Sequence, residues 1–237
     1  MPMRTPLGEN RILQCLPAAE RAEIQSFLTP VSLVLGEVLY YPDDVIATVY
    51  FPLSGLISLL SVMASGDQIE HGIVGRSGLV GVTVATNGPR AFGQTVVQIA
   101  GEAYQLPRAQ FISICEKSAL LRRLVHEYDG YLYFQAIQSG ACHALHTVEA
   151  RFCRWMLQSQ DVLQSDIVGL TQESLAHMLG VQRTAVSLSA QSLQAAGLIQ
   201  YSRGAIRIVD REGLKSAACE CYQATRNYTD RMSPPLF

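Results

Sequence analysis

Forty consecutive residues, Leu170 to Val209, read LTQESLAHMLGVQRTAVSLSAQSLQAAGLIQYSRGAIRIV, and no other stretch of the chain limits its fold as tightly. Thr171 is a good N-cap, and Leu175, Ala176, Met178 and Leu179 follow at helical spacing, so a short helix opens the segment. Gly180 lets the chain leave that helix sharply, and a second helix is expected from Gln182 to Ala195 with Val186, Ala190 and Leu193 on its buried side. Its other face carries Gln182, Arg183, Thr184, Ser187, Leu188 and Gln191. Two helices joined by a glycine turn, the second presenting hydrogen-bonding side chains, form the geometry that seats a helix in the major groove of DNA. Ala196-Gly197-Leu198 ends the helix, and Ile199 to Tyr201 and Ala205 to Val209 read as two short strands around Ser202-Arg203-Gly204. The segment is a winged helix-turn-helix.

In these residues (LTQE, LA, LGV, R, VS, GLI, Y, RG and DR, all in register) the chain resembles the DNA-binding domain of the Crp/Fnr family of bacterial transcription regulators. The solvent face of the second helix is expected to read bases through Gln182, Arg183, Thr184, Ser187 and Gln191, with Thr171, Gln172 and Arg203 as candidates for contacts to the DNA backbone. The resemblance departs where bases are read: Gln182 stands for the usual Ser, Thr184 for a Glu or similar polar residue, and Leu188 where Arg is often found. Only Arg183 and Ser187 match, so a family-type operator does not transfer. From Thr171 to Val209 there are three arginines and one glutamate, a weak basic bias where phosphate contacts normally supply much of the affinity.

Nothing global adds to that. A chain of 237 residues with 49% hydrophobic and 16% charged residues builds ordered, well-filled cores, and a formal charge of −2 favours no polyanion. The opening MPMRTPLGEN has no apolar core and reads as no secretory signal. Val45 to Ala64 lacks a charged residue, yet Pro52 and Gly55 interrupt it, so it reads as two buried strands around a turn rather than a membrane span. The six cysteines show no paired CxxC spacing, which suits a reducing cytoplasm.

Asn10 to Leu28 reads as short amphipathic helices. From Val31 to Leu106 the texture changes to β-branched runs punctuated by glycine: VSLVLGEVLYY, VIATVYFPLSGLISLLSVM, IEHGIVG, LVGVTVA and TVVQIAGEAYQL. Such runs predict an antiparallel barrel or sandwich. LGEVLYYPDD, followed by VYFPLSGLISLLSVMASGDQIEHGIVGRSGLVG, resembles the β-roll of cyclic-nucleotide-binding-type domains. Ser118 to Leu145 then predicts one long helix, whose Leu121, Leu124, Tyr128, Tyr131, Gln135, Gln138, Cys142 and Leu145 recur in alternating steps of three and four. That heptad seam, with the family resemblance, is read as the interface of a parallel homodimer. Val148 to Leu163 predicts a helix after a hinge at His146-Thr147, and Asp210 to Met232 a single C-terminal helix capped by Asp210 and closed by Pro234-Pro235.

The expected fold class is α+β: an antiparallel β-roll (a double-stranded β-helix) with N-terminal helices over residues 1–117, a dimerisation helix over 118–146 and a winged helix-turn-helix over 147–237. The cyclic-nucleotide binders it resembles hold phosphate with a Glu, an Arg and a Ser or Thr, and meet the base with a polar pair on the long helix. Val82, Gly93 and Gln94, and Ala136 and Ile137, fall at those positions, with Arg90 as a displaced anchor. Without an ionic partner for phosphate, cyclic AMP is not the expected effector.

An iron–sulfur reading needs clustered cysteines near the N-terminus, where only Cys15 stands. Cys142, His143 and His146 end the long helix. Two copies could pair them around a metal or haem, or they could be a buried thiol and histidines capping carbonyls. Cys219 and Cys221, placed on different sides of one helix, make poor zinc geometry, so no metal or cofactor is expected. No nucleophile elbow, HExxH or phosphate-binding glycine loop is present, and catalysis is not expected. The reading is a homodimeric, sequence-specific DNA-binding regulator with double-stranded DNA, a second copy, an unidentified small molecule and RNA polymerase as candidate partners. The alternative is a small-molecule or partner-protein binding module whose winged helix reads no sequence.

Overall fold

The structure, a computed structural model, describes residues 10–202 and 204–232. Two short helices, α1 (Arg11–Gln14) and α2 (Ala18–Gln25), come first; Asn10 caps α1 and its amide also donates to the carbonyls of Pro52 and Gly78, tying the entry of the chain to the roll. Seven strands follow: β1 (Thr29–Leu33), β2 (Val38–Tyr40), β3 (Thr48–Pro52), β4 (Leu56–Val62), β5 (Gln68–Val74), β6 (Gln94–Ile99) and β7 (Gly101–Pro107). They form two antiparallel sheets, β1-β7-β3 and β2-β6-β4-β5. Their inward faces enclose a core that includes Phe51, Leu79, Val97 and Leu106 and extends over Phe111 of the helix α3 (Arg108–Lys117).

The run LVGVTVA is not a strand: Gly81, at φ +89°, turns the chain into a 3-10 turn over Val82–Ala85. An isolated bridge at Val80 to Tyr50 is the only ladder pairing there among the described residues. Short β-branched runs do not reveal this, because a positive φ at glycine ends a strand without changing its hydrophobicity.

Helix α4 (Ala119–Leu145) is capped by the Ser118 hydroxyl, which accepts from Leu121 N at 2.9 Å. It runs along the roll and ends at His146, where the backbone becomes extended. Thr147 caps α5 (Val148–Leu163), the central helix of the second core, with Phe152, Trp155, Met156 and Leu157 buried. After β8 (Ile167–Val168) come α6 (Gln172–Leu179), α7 (Arg183–Ala195) and the hairpin β9 (Ile199–Ser202) and β10 (Ala205–Ile208), with β8 completing a three-stranded wing sheet.

The single C-terminal helix expected over 210–232 is two. Asp210 does cap the first, α8 (Arg211–Ala217), but Ala218 is extended and α9 (Cys221–Arg231) starts anew. No glycine or proline stands at the break. Tertiary packing makes it: Cys219 and Cys221 are buried against Cys142 at the end of α4. Pro234-Pro235 lies outside the described residues.

Candidate nucleic-acid interface, effector cavity and the joint between them

Thr171 caps α6 through its hydroxyl, accepting from Ser174 N at 3.1 Å, and Gly180 ends it at φ +59°. That left-handed residue swings the chain into α7, whose Val186, Ala190 and Leu193 are buried beneath it. Gln182, Arg183, Thr184, Leu188 and Gln191 are exposed along the outer side. Ser187 is half-buried and donates to Gln172 Oε1 at 2.7 Å or to the Arg183 carbonyl at 3.0 Å, so these two residues brace α7 against α6. Arg203, expected on the DNA backbone, lies outside the described residues.

A cavity of about 510 Å³ opens between the roll and α4. Val82, Gly93, Gln94 and Ala136 line it. Arg90 does not: its guanidinium donates to the Asp43 carbonyl at 2.6 Å outside the cavity, and Ile137 is exposed on the outer face of α4. Residues not anticipated complete the wall, among them Tyr40, His71, Thr95, His126, Asp129 and Tyr133. The steps 126, 129/130, 133 and 136 on α4 are the signal that would have found them, since they mark a second helical stripe beside the seam. Among the described lining residues there is no Lys or Arg, and burial pushes the His71 imidazole below its usual range, toward the neutral form.

The seam expected to meet a second copy is largely used inside the chain. Leu121, Leu124, Tyr128, Tyr131, Gln135 and Cys142 are buried against the roll and the C-terminal helices, Gln138 is half-buried, and Leu145 is exposed. Gln135 shows why: its side-chain amide accepts from Ile73 N and donates to Ile73 O, at 3.1 and 3.2 Å, adding one rung to β5. Tyr128 sits where Gly78 leaves room; a Cβ there would lie 1.9 Å from its hydroxyl. A heptad stripe demands burial but does not name the partner, and the roll and the C-terminal helices take it.

The two halves of the chain also meet directly. Buried Glu70 on β5 accepts from Trp155 Nε1 at 2.7 Å and from Ser58 Oγ at 2.5 Å, and Ser58 also touches Met178 of α6. Burial raises the Glu70 carboxyl to about 7 against the pull of these hydrogen bonds and of Arg154. His143, grouped in sequence with Cys142 and His146, faces this joint instead: its ring contacts the Glu70 carbonyl and, at 2.5 Å, the Arg151 guanidinium. Cys142 and His146 meet Cys219 and Cys221 within one chain, on the other side of α4's end. The two cysteines do not share a helix, so the geometric objection to them as ligands falls away.

No helix among the described residues is long and apolar enough to cross a membrane. A family model for the cyclic nucleotide-binding domain matches residues 30–118, and one for the Crp-like helix-turn-helix domain matches residues 150–217. A search of curated proteins finds no match. Among solved structures, FixK2 from Bradyrhizobium japonicum superposes with a TM-score of 0.70 at 15% identity, covering 81% of this chain and 98% of that one. The c-di-GMP-responsive global regulator CLP of Xanthomonas campestris gives 0.66 at 14%, covering 81% and 99%. A Crp/Fnr family transcriptional regulator from Thermus thermophilus gives 0.65 at 21%, covering 80% and 98%.

Proposed function

Given that this chain belongs to the Crp/Fnr family of transcription regulators and is not an enzyme, we propose that it reads an inverted DNA repeat as a homodimer in the cytoplasm, under control of a ligand other than a cyclic nucleotide. The observation that carries the reading is α7: a helix held by a capped partner across a left-handed glycine, presenting Gln182, Arg183, Thr184 and Gln191 to solvent. Arg183 at its first turn reaches a base edge, while Thr171 and Arg203 hold phosphates. Gln172 acts indirectly, by fixing Ser187.

The dimer face moves from the buried seam to the stripe beside it. His126, Gly130, Tyr133, Ile137, Gly140 and Ala144 recur in steps of four and three, and Tyr133 and Ile137 are 71% and 54% exposed. Gly140 and Ala144 let two such helices approach closely. The same stripe borders the cavity through His126, Gly130 and Tyr133, so ligand occupancy and the approach of two α4 helices are linked. A cavity with a broad apolar wall, one carboxylate and no permanent cation suits a neutral or weakly basic small molecule. RNA polymerase remains a candidate partner, reached once DNA is bound.

Selection from random duplexes tests this. Enrichment of an inverted repeat with half-sites about one helical turn apart is expected. Arg183→Ala should lose about 1 to 3 kcal/mol on that site and relax preference at one base pair. Equal loss on selected and random DNA would put Arg183 on the backbone, and no enriched sequence would overturn the reading.

A further inference from the structure

Four metal-ligating side chains converge where the long helix ends. Cys142 comes from the last turn of α4 and His146 from the residue that stops it; Cys219 comes from the break between α8 and α9, and Cys221 opens α9. Their ligand atoms all lie within 4.8 Å of one another, with Cys142 and Cys219 Sγ at 3.5 Å and Cys221 Sγ to His146 Nδ1 also at 3.5 Å. A tetrahedral zinc ion with bonds of about 2.0 to 2.3 Å requires ligand separations of roughly 3.5 to 3.8 Å, so small movements suffice to close the set.

The surroundings match a ligand set as well. His146 turns Nδ1 toward the thiols and Nε2 toward the Glu220 carboxylate at 3.1 Å, the arrangement in which a carboxylate fixes the tautomer of a metal-bound imidazole. Gln138 Nε2 donates to Cys221 Sγ at 3.0 Å, as donors do to metal-bound thiolate. All three thiols are buried, and the cationic Arg154 acts on Cys142 and Cys219. We propose that Cys142, His146, Cys219 and Cys221 form a closed, structural zinc site that fastens the DNA-binding half of the chain to the end of the long helix.

Zinc entry forms three Zn–S bonds and one Zn–N bond, releases the protons the thiols carry, and changes no oxidation state. Four protein ligands leave no position for substrate, so the ion is structural. Its place sets its role. Two ligands belong to the end of α4 and two to the segment after the wing, so the ion fixes the angle between them across the His146-Thr147 hinge. The site does not depend on what α7 binds.

The test uses the full chain purified with reductant and without chelator. Metal analysis should return one zinc per chain. Cobalt(II) replacing it should give thiolate-to-metal charge transfer and the intense visible bands of a tetrahedral site. Cys219→Ser and Cys142→Ser should lose the metal, whereas Cys115→Ser and Cys153→Ser, at buried thiols elsewhere, should keep it. Glu220→Gln, at an exposed position that leaves folding intact, should weaken metal affinity about 10- to 100-fold. The proposal is overturned if wild-type protein takes up well under one equivalent of zinc and gives no charge transfer with cobalt, if a Cys142–Cys219 disulfide forms in place of metal binding, or if Cys219→Ser retains a full equivalent. DNA selection fails or succeeds independently of these readings.

Discussion

Replacing Glu70 by Gln removes one proton equilibrium while keeping both hydrogen bonds at the joint: the amide carbonyl accepts from Trp155 Nε1, and the amide N–H donates to Ser58 Oγ. Burial lifts the wild-type carboxyl from 4.5 to about 7. An acid raised in the folded chain keeps a proton that the unfolded chain releases. Its contribution is therefore full below about 4.5 and is lost as pH rises through about 7. At about 1.36 kcal/mol per unit the whole displacement is worth about 3 kcal/mol, and Glu70 is only 6% exposed, so solvent does little to screen it. Between about pH 5 and pH 8 the Gln variant should gain about 2 to 3 kcal/mol over wild type. Urea unfolding across that range measures it, followed by the fluorescence of Trp155, which is the only tryptophan and is bonded to the group in question. A stability difference that stays flat across the range would mean that folded Glu70 holds no extra proton.

Ile137→Asp places a charge on the proposed dimer face and should shift light scattering from dimer to monomer, whereas loss of folding instead of association would place Ile137 in the interior. Gly78→Ala sets a methyl group 1.9 Å from the buried Tyr128 hydroxyl and should cost about 1 to 3 kcal/mol, read as a lowered Tm; an unchanged Tm would mean that Tyr128 moves freely. Cyclic AMP should bind more weakly than millimolar in calorimetry, since phosphate would shed water without meeting a cation, and micromolar binding would mean that Arg90 abandons Asp43 for the cavity.

The helix-turn-helix was legible because its determinants are local: a cap, a glycine and a 3.6-residue period within forty residues. The roll was legible as a set of strands, though not in the turn after Gly81. What stayed hidden depends on partners distant in sequence. Two heptad stripes run along α4, and periodicity alone does not say which one meets the roll. The burial of Glu70 depends on Trp155, 85 residues on, and no feature near Glu70 in sequence announces it. The break at Ala218 has no breaker residue, so sequence spacing sets Cys219 and Cys221 on diverging sides of a helix that is not there.

Helix α9 covers part of α4. Tyr228 stacks on Phe134 at 4.5 Å and lies 6.0 Å from Tyr131, and Gln158 of α5 donates to Thr225. On a ribosome making about 5 to 20 residues per second, α4 therefore waits, with an aromatic strip bare, until α9 has emerged. Release of a product truncated before Cys221 would leave that strip exposed for good, a surface that chaperones and proteases recognise. The arrival of α9 is thus written into the packing of α4 itself.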